Sequence, residues 1–224
     1  MGSVGASFIL IPFLGSVKSI FFLSFCSILL GLYFVEKRNK NLIIIGIAPL
    51  LVSLFLVFTP SSYLTKYYYF FKGKGYKYLY LEDEMASVLA YKNFSGTDVN
   101  LLIDNFATTG KSSETKFMSH IMYSLNPNAQ NTLIVGLGMG SKYRSSLLHG
   151  TKTDVVELSP AVTKTLHYFY DDYENIYNNP LGRIIFNDGR NYIKIRAKKY
   201  DIVIIDPPPP FNSSGTKVLY SKQF

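Results

Sequence analysis

Four groups of residues in the second half of the chain have the types and spacing to handle a nucleoside. Gly136-Leu137-Gly138-Met139-Gly140 puts glycine at alternate positions, where a bare backbone can approach a ligand closely. Glu157 follows 17 residues after Gly140. A carboxylate there can accept hydrogen bonds from both hydroxyls of a ribose. Asp188, followed by Gly189, ends the next apolar run and suits an adenine amine. Asp206 ends the one after that and would face a second substrate. The plainer alternative for any one of these carboxylates is a helix N-cap or a solvated loop.

The elements that must hold these groups are strands alternating with helices. Thr132–Val135 runs into the glycines, and Ser141–Leu148 is helix-like. A second strand ends at Asp154–Leu158 and is followed by a helix over Pro160–Tyr170. A third, Arg183–Phe186, leads to Asn187-Asp188-Gly189-Arg190 and another helix. A fourth, Asp201–Ile205, ends in Asp206 and four prolines. Such alternation implies a doubly wound parallel sheet, whose chemistry sits beyond the carboxyl ends of its strands. All four groups fall at those ends. The glycine run omits the third-glycine spacing of GxGxxG, which suits an adenosyl sulfonium better than a dinucleotide. The sheet stops soon after its fourth strand, so the domain is expected to be truncated, with an unpaired outer edge.

Upstream, Glu114–Leu125 has helical spacing, with Phe117, Met118, Ile121, Met122 and Leu125 on one side. His120 lies on it and is read as a packed or capping residue rather than a catalytic one. Met85–Lys92 and Val99–Asp104 read as strands around the turn Asn93–Asp98. Tyr67–Tyr80 is aromatic and basic. It reads as a β-hairpin turning at Lys72–Gly75, with a place at a lipid headgroup interface as the alternative. Nucleic acid is not an expected partner, because the net charge of +8 is spread over the whole chain.

The first quarter is different. Mean hydropathy is positive at +0.14 despite 23 basic residues, and residues 1–59 account for the contrast. Asn41–Thr59 carries no charge for 19 residues, about what a helix needs to cross a bilayer. Met1–Val17 and Ser19–Val35 are also uncharged and are separated by Lys18. They read as a short hairpin turning at Gly15–Lys18, or else as one long tilted helix. No positive segment precedes the first run, which argues against a cleaved signal peptide. Basic residues flank both sides of the 41–59 span (Lys37, Arg38 and Lys40; Lys66, Lys72, Lys74 and Lys77), so orientation stays undecided. The expected organisation is transmembrane helices over 1–59, a small antiparallel β subdomain over 60–106, and a partial Rossmann-like domain over 107–224. Cys26 is the only cysteine and the three histidines have no ligand-like spacing, so neither a disulfide framework nor a metal site is expected.

With these motifs in place, the sequence resembles the spermidine synthase family of polyamine aminopropyltransferases. It most resembles their membrane-embedded branch, in which transporter-like helices precede the enzyme domain. The resemblance rests on VGLGMG (135–140), VVELSPAV (155–162), NDGRNYI (187–193), YDIVIIDPP (200–208), LYSKQF (219–224) and LLIDNFATTG (101–110). It implies a class I methyltransferase/spermidine synthase fold. Gly136, Gly138, Gly140, Glu157, Asp188 and Gly189 would hold decarboxylated S-adenosylmethionine, and Asp206 would be the catalytic group beside the attacking amine. The family usually carries a second acid three residues beyond the first, where this chain has Pro209. Its usual tyrosine–histidine pair has no clear match; Lys116-Phe117 lies near that place.

The resulting expectation is aminopropyl transfer to a small amine, impaired by the missing acid and the truncation. One alternative is an S-adenosylmethionine-dependent methyltransferase, since Asp206-Pro207-Pro208 with a following aromatic (Phe211) resembles a D-P-P-aromatic string. Another is a non-catalytic nucleotide-binding membrane protein. The expected partners are the amine, membrane lipid and a second copy of the chain. The expected location is a multi-pass membrane position with the soluble part cytoplasmic.

Overall fold

The computed structural model describes residues 2–35, 40–110, 113–196 and 198–205. These form two compact units, divided between Gly75 and Tyr76. Asp206, the prolines after it, Phe211 and the LYSKQF segment lie outside the described residues.

The first unit is helical. Three short pieces, α1 (Gly2–Gly5), a π-helical turn (Ala6–Leu10) and α2 (Ile11–Leu14), precede α3 (Ser16–Phe34) and α4 (Lys40–Phe58). The break expected over Gly15–Lys18 narrows to Gly15, whose φ of +78° ends α2; Lys18 lies inside the first turn of α3. Ser16–Phe34 and Asn41–Phe58 are long and apolar enough to cross a membrane, by length and composition. Their hydroxyls turn back onto the helix backbone: Ser24 Oγ donates to the Ile20 carbonyl and Ser27 Oγ to that of Leu23, both at 2.8 Å. Such bonds satisfy polar groups without water. Gly46 on α4 faces Leu32 on α3, where a Cβ would come within 2.5 Å of the leucine Cδ2. The missing side chain lets the two helices close on each other.

A short turn, α5 (Ser61–Leu64), leads to α6 (Lys66–Lys72). The hairpin expected over Tyr67–Tyr80 is therefore not formed, because its first half is helical. Residues four apart meet there: Lys72 Nζ lies 2.9 Å from the Tyr68 hydroxyl, and the Tyr67 and Phe71 rings stack at 6.4 Å. These are i,i+4 contacts that a strand cannot make. Extended chain begins only after Gly75, at φ +70°.

The second unit opens with an antiparallel sheet, β1 (Tyr76–Glu82), β2 (Ser87–Asn93), β3 (Val99–Ile103) and β4 (Phe106–Gly110), in sequential order. β2 and β3 match the expected strands. β4 was not anticipated, and the strands run on to Gly110 rather than ending at 106. The β3–β4 turn is Asp104-Asn105, both at positive φ (49° and 68°), between paired Ile103 and Phe106. Two such residues at positive φ suit a tight turn matched to the strand twist.

Helix α7 (Ser113–Leu125) joins this sheet to a parallel one. Its extent agrees with the sequence reading, but its buried face does not. Ser119 and Tyr123 are buried, whereas Phe117 and Leu125 are largely exposed. Tyr123 wins the interior because its hydroxyl meets two buried threonines, Thr132 and Thr151, each at 2.8 Å.

The parallel sheet comprises β5 (Asn131–Val135), β6 (Lys152–Glu157), β7 (Gly182–Phe186) and β8 (Ile202–Ile205), in the order β7-β6-β5-β8. Between these strands lie α8 (Ser141–Leu148), α9 (Pro160–Lys164), α10 (Leu166–Phe169), α11 (Tyr173–Tyr177) and α12 (Gly189–Ile195). The chain winds one way from β5 to β7 and the other way to β8. β5 and β8 therefore flank the point where strand order reverses, the usual ligand crevice of such sheets. One core cluster, including Ile134, Val155, Val162 and Leu166, also takes in Val88, Ala90 and Leu101 of the antiparallel sheet. A second, Leu133, Val135, Val156 and Tyr192, lies under α12.

Candidate nucleoside site

The glycine turn leaves β5 at Val135 and enters α8. Gly136, Gly138 and Gly140 all have positive φ (88°, 54° and 79°), a region that other L-residues enter only at a cost. Leu137 and Met139 between them are buried in the core, so the backbone is held from below. The glycines differ in what surrounds them. A Cβ on Gly140 would sit 2.7 Å from Leu166 Cδ2, whereas one on Gly136 would meet nothing within 4 Å. Gly140 is thus demanded by packing, and Gly136 borders open space.

Glu157 closes β6 with its side chain buried at 7% exposure. One carboxylate oxygen accepts the Leu137 amide at 2.8 Å and the other accepts the Ser159 amide at 3.0 Å. Burial pushes its pKa up, and the amides of Ser159, Leu137, Leu158 and Gly138 oppose that rise without cancelling it. The carboxylate is thereby tied to the middle of the glycine turn.

Asp188 is the N-cap of α12: one oxygen accepts the Asn191 amide at 2.8 Å. The capping role weighed against ligand binding is therefore real, and it occupies one of two oxygens. Gly189 is set by close packing, since a Cβ there would lie 2.5 Å from Val135 Cγ1. This contact brings the β7–α12 turn beside the residue that enters the glycine turn. Gly136, Gly138, Gly140, Glu157, Asp188 and Gly189 thus gather at the carboxyl ends of β5, β6 and β7. Asp206 follows Ile205, the pairing partner of Val135, and itself lies outside the described residues.

His120 belongs elsewhere. Its Nδ1 is 2.8 Å from His149 Nε2, and the His149 ring stacks on Tyr123. Because the Tyr123 hydroxyl reaches Thr132 and Thr151, this group sits at the amino ends of the strands, away from the glycine turn. An open groove of about 430 Å³ lies along β8 and α12, lined by Tyr192 and Val203 among others. It belongs to a face of the sheet rather than to the glycine turn.

Sequence reasoning missed Asp83, which is bonded to the neighbourhood of Glu157, and Asp154, which gathers a polar cluster beside the groove. Asp83, between β1 and β2, receives hydrogen bonds from the Ser159 hydroxyl and the Ala161 amide. Asp154, buried in β6, gathers Arg183, Lys198, Tyr192 and Tyr200. Neither has a local motif. Only the cross-strand register, Asp154 opposite Arg183, would have pointed to the second.

The strand order and the site at the switch point define a Rossmann-like α/β protein of the methyltransferase type. Residues 111–224 match the spermine/spermidine synthase domain, and the chain belongs to that family. It is 29% identical over 139 residues to the polyamine aminopropyltransferase of Pyrobaculum calidifontis, covering 55% of this chain and 46% of that one. It is 32% identical over 107 residues to that of Sulfurisphaera tokodaii, covering 46% and 35%. Spermidine synthase from Thermotoga maritima superposes with a TM-score of 0.50 at 22% identity, over 57% of this chain and 46% of that one. A spermidine synthase in complex with the transition-state analogue AdoDATO gives 0.53 at 20% identity, over 62% and 49%. The chain spans about half the length, or less, of these curated relatives.

Proposed function

We propose that this chain forms the nucleoside-binding part of a membrane-associated aminopropyltransferase that uses decarboxylated S-adenosylmethionine. The observation that carries this reading is the buried Glu157 carboxylate bonded to the Leu137 amide inside the glycine turn. Gly136 fits a ligand because the space a Cβ would take is open. In this reading Glu157 accepts the ribose hydroxyls, and the second oxygen of Asp188 accepts the adenine amine. The Gly136–Gly140 backbone, with Gly189 packed behind it, lies along the methylthio group. Asp206 orients the attacking amine and takes its proton.

In the reaction the amine nitrogen forms a bond to the aminopropyl carbon next to the sulfonium. The carbon–sulfur bond breaks and its electron pair returns to sulfur, leaving neutral methylthioadenosine. The nitrogen sheds a proton to the carboxylate. Holding the two substrates in line supplies much of the rate. Helices α3 and α4 would anchor the chain in a bilayer, with the basic, aromatic α6 at the headgroup level. The domain plan of this reading keeps three parts, with the antiparallel sheet β1–β4 (Tyr76–Gly110) standing in sequence between the helical part and the partial Rossmann-like domain.

Calorimetric titration of the detergent-solubilised full chain tests it. Decarboxylated S-adenosylmethionine should bind more tightly than the carboxylated form, and methylthioadenosine should bind as product. Preference for the carboxylated form would point to methyl transfer instead. No binding of any of the three would refute a nucleoside site.

A further inference from the structure

We infer that Asp83, on the antiparallel sheet, is a positioning residue for the nucleoside-binding carboxylate Glu157, acting through Ser159. The inference deepens the proposed function and rests on it.

Asp83 follows β1 in the turn to β2. Its Oδ1 accepts the amides of Met85 at 2.8 Å and Ala86 at 2.9 Å, which fixes the carboxylate on its own turn. Its Oδ2 reaches across to the parallel sheet. There it accepts the Ser159 hydroxyl at 2.7 Å and the Ala161 amide at 2.8 Å. Ser159 is buried, and its own amide donates to Glu157 at 3.0 Å. Both donors of Ser159 therefore end on carboxylates, Glu157 on one side and Asp83 on the other.

This arrangement departs from the ordinary start of a helix. Ser159 is the N-cap of α9, and a serine there usually turns its oxygen onto an amide of the first turn. Here its side chain makes no capping bond. Asp83 instead receives the Ala161 amide, capping α9 from a strand turn 78 residues away. Burial pushes the Asp83 pKa up, but the Ala161, Ser159, Ala86 and Met85 donors outweigh it and hold it below the usual value. The group therefore stays ionised at neutral pH as a fixed charged acceptor. Without it the Ser159 hydroxyl is free to turn back and cap α9 itself. The start of α9, no longer held through the Ser159 hydroxyl or the Ala161 amide, can then shift its backbone and carry the Ser159 amide away from Glu157. The ribose acceptor would then keep its strand but lose one of the amides that aim it.

The test is calorimetric titration of the full chain and its variants with methylthioadenosine, alongside circular dichroism. In Asp83→Ala the dissociation constant should rise about tenfold, the scale of one lost hydrogen bond to a charged group. The number of binding sites per chain should stay at the wild-type value. A merely structural role gives the opposite pattern, fewer competent sites at unchanged affinity. Ser159→Ala removes only the hydroxyl link, keeps the amide, and should weaken binding in the same direction. The double variant should cost less than the two single costs combined. If Asp83→Ala fails to fold, Ser159→Ala decides. Wild-type binding with unchanged affinity in the folded variants overturns the inference and leaves the proposed function standing. Absence of wild-type binding overturns both.

Discussion

Gly136 and Gly140 occupy similar backbone conformations in the same turn, yet replacing each by alanine should do different things. Both have φ near +80° to +90°, so alanine at either costs about 1–2 kcal/mol of backbone strain. At Gly140 the new Cβ would lie 2.7 Å from Leu166 Cδ2. Leu166 is fully buried and has no room to retreat. Overpacking of this kind adds about 1–3 kcal/mol, for a total of about 2–5. At about 2–4 °C per kcal/mol for a domain of this size, the Tm of Gly140→Ala should fall by about 4–20 °C. At Gly136 nothing lies within 4 Å, so only the strain applies and the Tm should fall by a few degrees. Ligand binding should show the reverse ranking. If the open space beside Gly136 receives the nucleoside, its new methyl collides with the ligand, and the dissociation constant for methylthioadenosine should rise tenfold or more. Gly140→Ala molecules that remain folded should bind within about threefold of wild type, because their added methyl points into the core. Thermal melts followed by circular dichroism, with titration of each variant well below its Tm, measure both quantities. Wild-type affinity in folded Gly136→Ala would show that the nucleoside does not approach that face of the turn.

Three further outcomes follow from charges in the second unit. Glu157 has a folded pKa raised above its usual 4.5, so its contribution to stability is present below that value and is lost as pH rises through the folded pKa. Nucleoside affinity should run the other way, rising with pH across the same window as the ribose acceptor ionises, and Glu157→Gln should be weaker and flat in a titration series over pH. Asp154 is pushed up by burial but held below its usual value by Arg183, Tyr200 and Lys198; its contribution is therefore present above about pH 4 and lost as pH falls. Asp154→Asn should cost about 1–3 kcal/mol in denaturant unfolding, less than a fully buried pair because Arg183 is half-exposed; a change under 0.5 would show that the cluster is solvated. His149 has a lowered pKa, from burial first and the neighbouring His120 second; stability should decline as pH falls below about 6.5, and His149→Gln should lose less Tm than wild type between pH 7.5 and 5.5.

Much of the parallel sheet was legible because its signals are local. Each strand is a short apolar run, and each ends in a residue that a buried run would not tolerate. The glycine turn, Glu157 and Asp188 were found that way. The misreadings share another cause. Tyr67–Phe71 has the composition of a strand, but lysines spaced for helical contact with the rings decide otherwise. The α7 stripe of Phe117, Ile121 and Leu125 follows helical spacing, yet the interior goes to Tyr123, whose hydroxyl has two buried partners. Asp83 could not be found at all, because its partners are 76 and 78 residues away. Periodicity shows that a face exists, whereas the choice of buried face depends on partners that only the fold brings together.

The placement of Glu157 links stability to binding. Burying a carboxylate is costly unless it is well bonded, and here the bonds come from the turn that would receive the ligand. The Leu137 amide meets Glu157 from within a turn that Gly136 enters at positive φ, and the Ser159 amide meets it at the start of α9, where Asp83 receives the Ala161 amide. A shift in either loop would leave the carboxylate short of donors, raise its pKa further and favour its protonated form. A protonated Glu157 is a poorer acceptor for two ribose hydroxyls. The glycine turn, the capped helix and the ionisation of Glu157 should therefore change together, so perturbing any one of them should weaken the nucleoside site through the same carboxylate.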